Sequence, residues 1–473
     1  MPQHHVLSIK KEISLVESPE GLVMFKSPQL NLSLGNLSPG LISAIRVLFD
    51  GGASEQDLGN IVLEHDGPSV VSHFYLFLHQ FHSYKIICRT IDLDGAPLAT
   101  LVPTSFYYKY VATDVDPDLK YILSRFAYCR REGSNLLVES PRGHARVILH
   151  ASRAAAVLAQ LSSPQSSIEI SDQEKLPRDV VTGLIEFLLN AGTLCDEKND
   201  DEQREDADAP LTQWDFHDLL FHSRSRVGRH LNPYGGTYRY TNKIEPLPAT
   251  KPRMSEETYE LFKPDLERLK ESDFPFTRVL EDRKSIRSHG DPPLTAEQLG
   301  EFLFRSARVR EIFKTDHGEL SSRPYPAGGA IYELEIYAVV NKCSGLPSGL
   351  YHYQPDGHLL SKLSDRTKQV ERLLESARHT AVQEQQPQVL LVVTARFQRV
   401  TWKYQSMAYA LILKHVGVLY QTLYLVGTAM GLATCALGGG DSDLFAEAAG
   451  LNYYAEASVG EFILGSWPGA QVQ

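Results

Sequence analysis

The sequence predicts an α+β protein in which two small winged-helix-like modules precede a larger domain, whose central mixed sheet is flanked by helices. A strand hairpin, an alternating strand and amphipathic helices occur twice within the first 196 residues. Beyond Phe274, apolar strand patterns alternate with helical ones, as in a sheet covered by helices. Residues 388–394 form a nearly continuous apolar run, which is typical of a strand in the middle of a buried sheet.

The first module opens with a hairpin signal. Residues 13–16 and 22–25 are apolar runs on either side of a Ser-Pro-Glu-Gly turn. Residues 30–34 alternate between leucine and polar side chains, which predicts a half-buried strand. Ser38 is followed by proline and is expected to cap a first helix, and residues 70–81 predict a second amphipathic helix.

The same pattern recurs further along the chain. Residues 126–130 and 136–141 repeat the hairpin, and residues 145–149 repeat the alternating strand. Residues 180–188 repeat the apolar pattern of residues 70–78. Two copies indicate a duplication and not a solenoid array.

An acidic stretch separates the modules from the larger domain. Residues 196–208 contain eight acids, two bases and no apolar residue larger than alanine, so they cannot bury a core and predict a mobile linker. The predicted organisation is module 1 at residues 1–112, module 2 at 113–196, the linker at 197–210 and the larger domain at 211–473.

Charge and cysteine content exclude several classes of protein. The formal net charge of −11 argues against a nucleic-acid binder. The five cysteines include no Cys-x-x-Cys pair, and His217 and His222 are wrongly spaced for two ligands on one helix face, so no metal site is expected. Met1 is followed by polar residues and two histidines without the apolar region of a signal peptide, which predicts a cytoplasmic protein.

Three segments of the larger domain contain residues suited to binding a ligand. Residues 283–287 supply two guanidiniums and one hydroxyl, a set suited to an anionic group because arginine binds phosphate through paired hydrogen bonds. Residues 323–330 form a proline-fixed loop ending in two glycines, where a flat ring could lie against bare backbone. Residues 431–439 place three glycines after a long helix, where backbone N–H groups can face a ligand.

Each segment also has an ordinary structural interpretation. An Arg-x-Ser-x-Arg run is commonly a solvated helix start, a Pro-Ala-Gly-Gly sequence is commonly a turn, and consecutive glycines are commonly a flexible connection. The third segment is not a phosphate loop, because no Gly-Lys-Ser/Thr follows. A ligand-binding role is therefore inferred from the order of the three segments along the chain and not from any one of them alone.

In this order and spacing the segments resemble the FMN-dependent nitroreductase-like superfamily, specifically its SagB-type azoline dehydrogenases and most closely the cyanobactin thiazoline oxidases. The resemblance covers residues 211–473 and implies a homodimer that binds FMN in sites shared between subunits. Where many nitroreductases have a basic cluster on the phosphate, this chain has GSWPG at residues 465–469, so Arg283 is expected to carry more of that role. The resemblance implies that the cofactor is bound by Arg283, Ser285 and Arg287, by Pro326, Ala327, Gly328 and Gly329 of the other subunit, and by the backbone of Leu437, Gly438 and Gly439.

Lys403 and Tyr404 lie near the start of a long apolar segment. Alone, this dipeptide is explained by the start of an amphipathic helix, but azoline dehydrogenases have a Lys-Tyr pair at this place, which implies a catalytic role. Oxidising an azoline ring removes a hydride, which flavin N5 can take, and a proton, which needs a base. A lysine with the ordinary pKa of about 10.4 is a base only if it is desolvated or beside a cation, so Tyr404 is the alternative proton acceptor.

Residues 402–432 are apolar enough to be mistaken for a membrane span. Two lysines, one histidine and two glutamines interrupt the segment and no basic asymmetry flanks it, which favours a buried helix over a membrane helix. The resemblance implies that residues 407–430 form a helix at the core of the dimer.

Each winged-helix-like module resembles the precursor-peptide recognition element of modified-peptide biosynthesis, in which a leader peptide adds a strand to the wing. A purely structural role for the modules is equally open. The resemblance as a whole implies an oxidase that converts thiazolines in ribosomally made peptides to thiazoles, with an azoline-containing precursor or cyclic peptide as substrate and O2 reoxidising the flavin. Two alternatives stay open, an NAD(P)H-dependent nitro- or quinone reductase of the same fold and a non-catalytic peptide-binding scaffold. The sequence leaves open whether oxazolines are oxidised.

Overall fold

The computed structural model describes residues 5–18, 22–27, 30–196, 205 and 208–469. The chain divides into two compact units, residues 1–232 and 233–473. The sequence predicts domain boundaries at residues 112, 196 and 210, and these boundaries stay predictions. The predicted acidic linker at 197–210 lies almost entirely outside the described residues.

The first unit begins with a set of nine elements. They are β1 (Val6–Ile9), β2 (Ser14–Glu17), β3 (Leu22–Ser27), β4 (Leu30–Asn36), α1 (Pro39–Phe49), β5 (Ala53–Ser54), α2 (Glu55–Asp66), α3 (Pro68–Ser83) and β6 (Ile87–Leu93). Strands β2, β3 and β4 form an antiparallel wing, which confirms the predicted hairpin and alternating strand. The side chain of Ser38 does not cap α1 directly. Its hydroxyl donates to Asp66, whose carboxylate accepts the N–H groups of Gly40 and Leu41 at 3.0 and 3.1 Å and so caps the helix.

The second set repeats the first in the same order, after an intervening strand β7 (Ala96–Pro103). It comprises β8 (Lys120–Leu123), β9 (Tyr128–Glu132), β10 (Asn135–Glu139), β11 (Ala145–Leu149), α4 (Ser152–Gln160), β12 (Gln165–Ser166), α5 (Ser167–Glu174), α6 (Arg178–Asn190) and β13 (Leu194–Asp196). Strand β8 pairs with β12 and β13 as β1 pairs with β5 and β6. The duplication predicted from the sequence is therefore present element by element.

The two copies differ at the outer edge of the wing. In the first copy β4 is an edge strand that pairs with β3, whereas in the second copy the corresponding strand β11 also pairs with β7. This pairing joins the copies in a seven-stranded sheet of order β5-β1-β6-β7-β11-β10-β9.

Two short helices complete the first unit, α7 (Ala209–Thr212) and α8 (Phe216–Arg224). Arg224 donates to the carbonyl of Ser140 at 3.4 Å, and Arg229 donates to the carbonyl of Arg142 at 2.8 Å. These contacts attach the residues after the acidic stretch to the second copy, so the structure groups residues up to 232 with the first unit.

The second unit is built on one large sheet. Its strands are β14 (Gly235–Gly236), β15 (Thr258–Glu260), β16 (Glu311–Thr315), β17 (Gly318–Ser322), β18 (Leu334–Val340), β19 (Gly349–Gln354), β20 (Leu359–Ser364), β21 (Val389–Arg396), β22 (Tyr404–Gln405), β23 (Leu432–Leu437) and β24 (Glu456–Ser466). Seven of them pair in the order β15-β20-β19-β18-β21-β24-β23. All six pairings are antiparallel, which corrects the predicted mixed sheet: hairpins connect β18 to β19 and β19 to β20, and the later crossovers add each strand in the opposite direction to its neighbour.

Helices cover both faces of this sheet. They are α9 (Leu266–Ser272), α10 (Phe276–Asp282), α11 (Ala296–Ala307), α12 (Lys368–Thr380), α13 (Phe397–Thr401), α14 (Ala408–Ala429) and α15 (Ser442–Ala449). Phe302 of α11 and Leu419 of α14 belong to one core cluster, and Leu374 of α12 and Phe445 of α15 belong to another. This three-layer arrangement agrees with the predicted sheet flanked by helices.

Helix α14 is the predicted long apolar helix. Among the described helices it is the one long and apolar enough to cross a membrane by length and composition. In this unit it contacts α11, β23 and β24. Its residues Tyr409, Leu413, Gly417 and Gln421 are exposed and recur every four positions, so they form one stripe along the helix.

Candidate functional site around helix α14

The first predicted segment and strand β23, which lies within the third predicted segment, meet at Tyr424 of α14. The Tyr424 hydroxyl lies 2.9 Å from the hydroxyl of Ser285 and accepts the N–H of Ala436 at 2.8 Å. The N–H of Ile286 donates to the carbonyl of Thr434 at 2.8 Å. Tyr424, which contacts two of the three predicted segments, was not among the residues predicted from the sequence.

The charges of this region are not neutralised within the described residues. Arg283 is half-buried, with its guanidinium carbon 5.3 Å from the centre of the Tyr424 ring, while Ser285 and Arg287 are exposed. No carboxylate of the described part of the chain forms a salt bridge with Arg283 or Arg287. The guanidinium of Arg283 and the hydroxyl of Ser285, which both contact Tyr424, form a donor set suited to an anionic ligand. Arg287 instead lines a separate pocket with Lys342 and Gln386.

The end of β23 presents bare backbone beside these groups. The side chain of Leu437 is buried in the core, so only its backbone can face a ligand. Gly438 and Gly439 are exposed, and a Cβ added to either would have no neighbour within 4 Å. This open space fits the prediction that the backbone here faces a bound group.

The second predicted segment lies against the Lys403–Tyr404 pair. Pro326 is exposed and Ala327 half-buried, and the loop continues into a single 3-10 turn at Gly328–Ala330. Gly329 has a φ of 64°, and a Cβ added to it would lie 2.6 Å from Lys403 Nζ and 2.7 Å from the Tyr404 hydroxyl. Both side chains therefore reach this loop, and any residue larger than glycine would displace them.

The structure corrects the predicted position of Lys403 and Tyr404 at the start of a helix. Tyr404 lies in β22, which pairs with Gly235–Gly236 of β14. The carbonyl of Lys403 accepts the N–H groups of Thr237 and Tyr238 at 3.0 and 3.2 Å. The pair is extended because this distant segment supplies its backbone partners, and helix α14 begins only at Ala408, after Ser406 with a φ of 63°.

Lys403 points its ammonium group toward aromatic rings. Its Nζ lies 5.5 Å from the centre of the Tyr238 ring and 5.3 Å from that of Tyr404. No carboxylate within the described residues pairs with it. Ring faces stabilise a cation at this distance, so the two tyrosines fix the charge beside the glycine loop.

A buried histidine of α14 holds the same loop from the other side. His415 Nε2 accepts the N–H of Gly328 at 2.7 Å, and its Nδ1 lies 2.7 Å from Glu333 Oε1. Because Nε2 accepts, Nδ1 carries the proton and donates it to the carboxylate. In the sequence, this histidine is only a polar interruption of an apolar segment. A buried histidine needs a hydrogen-bond partner, so its position inside a predicted buried helix was the available signal.

The structure therefore assembles two groups of predicted residues along α14. One contains Arg283, Ser285 and the start of the 437–439 segment near Tyr424. The other contains Gly328, Gly329 and the catalytic candidates near His415. His415 and Tyr424 are nine residues apart on the helix. At 1.5 Å per residue, this places the groups about 13 Å apart along one chain.

Three family matches follow the chain in order. Residues 1–111 match the ThcOx helix-turn-helix domain, residues 121–231 match the cyanobactin oxidase ThcOx and residues 280–466 match the nitroreductase family. Together these matches cover most of the chain, and they agree with the resemblance seen in the sequence. The helix-turn-helix match covers the first copy of the duplication.

Known proteins match parts of the chain. The nitroreductase-like protein MJ1384 of Methanocaldococcus jannaschii is 29% identical over 182 residues, which are 38% of this chain and 85% of that protein. The microcin B17-processing protein McbC of Escherichia coli is 29% identical over 115 residues, 23% of this chain and 42% of McbC, so the chain spans less than half of that relative.

Solved structures resemble the chain at low similarity. A nitroreductase-like protein from Ralstonia eutropha is 22% identical with a TM-score of 0.36, over 50% of this chain and 100% of that one. The E. coli microcin synthetase McbBCD complex with truncated pro-MccB17 bound is 16% identical with a TM-score of 0.34, over 52% of this chain and 90% of that one.

Proposed function

We propose that the protein is an FMN-dependent oxidase that converts thiazolines in ribosomally made, modified peptides to thiazoles. The observation that carries the proposal is the contact of Lys403 and Tyr404 with the Gly329 loop, in a chain that matches the cyanobactin oxidase and nitroreductase families. The similarity to McbC, a protein that processes microcin B17, supports a peptide substrate.

The residues around Tyr424 fit FMN. Arg283, which is half-buried and has no carboxylate partner among the described residues, would hold the phosphate. Ser285 and Arg287, both exposed, would bind the edge of the ring system. The backbone of residues 437–439 would face the ring, because the two glycines leave that space open.

The chemistry separates a hydride from a proton. When bound, FMN supplies an acceptor for the hydride that leaves the azoline ring, and O2 is the proposed final acceptor of the electron pair. The proton leaves from the adjacent carbon and needs a base. Lys403 lies against two aromatic rings that stabilise a cation, so we assign Tyr404 as the proton acceptor and Lys403 as the charge that stabilises its phenolate.

A dimer would complete the site. The loop at Gly329 and the cation at Arg283 lie at different levels of α14, and the exposed stripe of that helix includes Tyr409 and Leu413, 47% and 41% exposed. A stripe that begins with these two large apolar side chains is suited to a second copy of the same helix. One FMN would then be bound by Arg283 of one subunit and by the Gly329 loop of the other.

This shared site predicts complementation between two inactive variants. Arg283→Ala and Lys403→Ala should each be nearly inactive as homodimers. In mixed dimers, one site carries both changes and the other carries neither, so purified mixed dimers should recover about half of the parent activity. The unseparated co-expressed population, in which about half of the dimers are mixed, should recover about a quarter. Absence of recovery, with mixed dimers demonstrated by tagged purification, would mean that each site is formed within one chain.

The two wings offer different possibilities to a peptide. In the second copy, β7 pairs with β11, Tyr110 donates to Glu186 at 2.6 Å and Val111 donates to Asn190 at 2.9 Å. The chain's own residues therefore occupy that groove. In the first copy, no strand among the described residues pairs with the outer edge of β4. Leu76, at the position equivalent to Glu186, is 62% exposed in a groove of about 370 Å³. We assign leader binding to the first copy alone, by addition of a strand to β4.

A charge placed in this groove tests the assignment. Leu76→Glu should weaken binding of a leader-bearing peptide about tenfold, because roughly 1.5 kcal/mol of apolar burial is lost. Leu63→Glu is the matched control, since Leu63 is also exposed but lies outside the groove. Fluorescence anisotropy with a labelled peptide measures both. Equal affinities of the two variants would leave the wing as scaffolding.

The reaction itself is tested by mass spectrometry of a thiazoline peptide treated with purified protein, with O2 and without NADPH. A loss of two hydrogens per ring, together with O2 consumption and flavin absorbance, is the expected result. Activity only with NAD(P)H and a nitro compound or quinone would favour the reductase. Peptide binding without either reaction would favour the scaffold.

A further inference from the structure

A second pocket adjoins Lys403, outside the predicted cofactor residues. We infer that it binds the apolar side chain of the peptide residue next to the azoline ring. Its volume is about 200 Å³. Most of its walls are apolar or aromatic, and they include Tyr238, Leu247, His317, Leu320, Ile331 and Trp402. The inference rests on the proposed function, because it names a selectivity of the same site.

Three distant segments build the pocket, and one arginine holds them together. Arg399 of α13 is buried and donates to the carbonyls of Leu247, Glu319 and Ile331 at 2.6, 3.0 and 2.5 Å. These carbonyls belong to the segment after β14, to the β16–β17 hairpin and to the stretch after the Gly329 turn. The walls are thus held before any ligand arrives, which lowers the ordering cost of binding.

Aromatic contacts form the wall nearest to Lys403. The rings of Tyr238 and His317 stack with their centres 4.1 Å apart, and Trp402 meets Tyr238 edge-on at 6.0 Å. The indole N–H of Trp402 donates to the carbonyl of Ile244 at 2.6 Å, so its polar atom is satisfied and its ring is left for apolar contact.

Size and position identify the occupant. A cavity of about 150 Å³ lined by apolar side chains holds benzene. At about 200 Å³ this pocket accommodates an aliphatic or single-ring aromatic side chain. Lys403 borders both the pocket and the Gly329 loop. Because neighbouring Cα atoms of a peptide are about 3.8 Å apart, an azoline ring held at Lys403 brings the side chain of its neighbour to this pocket.

Two peptides that differ only in the residue next to the thiazoline, isoleucine in one and glycine in the other, test the inference. The wild-type protein should oxidise the isoleucine peptide with a kcat/KM at least tenfold higher. Leu247→Trp, which fills the pocket, should abolish that preference while the glycine peptide reacts within threefold of wild type. Leu247→Ala enlarges the pocket, so in this variant a third peptide with tryptophan at the same position should gain in kcat/KM relative to the isoleucine peptide. Leu363→Trp is the control, because Leu363 is also half-buried but lies outside the pocket.

The outcomes separate this inference from the proposed function. Oxidation of both peptides at equal efficiency by the wild-type protein would overturn the pocket assignment and leave the oxidase intact. A preference that persists unchanged in both Leu247 variants would also overturn it. Oxidation of neither peptide by flavin-loaded protein would overturn both.

Discussion

Replacing Gly329 by alanine tests whether the glycine loop positions Lys403 and Tyr404, the proposed catalytic pair. The residue has a φ of 64°, a left-handed conformation that costs an alanine about 1–2 kcal/mol. The added methyl would also lie 2.6 Å from Lys403 Nζ and 2.7 Å from the Tyr404 hydroxyl. Ordinary contact begins at 3.4 Å, so the ammonium group must retreat by about 0.8 Å and the hydroxyl by about 0.7 Å.

These displacements set the expected loss of activity. A misplacement of about 1 Å costs on the order of 10²-fold in rate, because the reacting groups leave their productive geometry. Gly329→Ala should therefore lower turnover of a thiazoline peptide by roughly 50- to 100-fold. The free energy of unfolding should fall by only about 1–2 kcal/mol, the backbone cost alone, because two flexible side chains can move aside.

Gly450→Ala separates the two effects. Gly450 ends helix α15 with a φ of 66°, and an added Cβ would have no neighbour within 4 Å. Gly450→Ala has the same backbone cost as Gly329→Ala, so its free energy of unfolding in denaturant titration should fall by the same amount. Its turnover should stay within a few-fold of the wild-type value. Single-turnover flavin reduction and flavin content, measured on the same samples, complete the assay. If the two variants turned over equally well, the loop would not be what positions Lys403 and Tyr404.

Three further predictions concern the site, and a fourth concerns His289, a half-buried histidine whose ring accepts the N–H of Gln388 at 3.0 Å. Arg283→Ala should weaken FMN binding by roughly 1.5–3 kcal/mol, about ten- to hundredfold, and full flavin retention after gel filtration would refute its phosphate role. Lys403→Ala and Tyr404→Phe should stay folded while turnover falls about 10²–10⁴-fold, and the double variant should be little worse than the poorer single one in rapid-mixing kinetics. His415→Leu should cost about 3–5 kcal/mol by stranding the buried Glu333 carboxylate, and His415→Leu with Glu333→Leu should recover part of that loss in denaturant titration. Burial lowers the pKa of His289 to about 4. On acidification from about pH 6.5, only the unfolded chain therefore takes up this proton, so the free energy of unfolding should fall between pH 6.5 and 4. The fall should be less steep in His289→Gln.

Local sequence patterns predicted most of the elements. Leucine alternation at residues 30–34 is enough to specify β4, since a strand with one buried face has a period of two. The apolar run at 388–394 specifies β21, which is buried along its whole length. The duplication was visible because both copies keep their hydrophobic spacing. The relative direction of paired strands in the large sheet could not be predicted, because it depends on how the strands are connected and not on the period of their side chains.

The environment of the catalytic candidates was out of reach of the sequence for a similar reason. Lys403 and Tyr404 read as a helix start, because nothing nearby shows that a glycine pair more than 160 residues earlier pairs with them. The buried His415–Glu333 contact joins two elements that are 82 positions apart. Both are tertiary interactions, which override local propensity.

The two wings differ in how their outer strand edges are covered. An open strand edge exposes unpaired N–H and C=O groups and is a hazard unless it is covered, polar or used. The second wing is covered by β7, which the chain itself supplies. Within the described residues no strand pairs with the outer edge of β4, which turns the exposed polar side chains of Asn31 and Ser33 to one face and half-buried leucines to the other. Under the proposed function, the duplicated modules would therefore divide two tasks: the second copy joins the modules, and the first copy would bind a strand of the peptide.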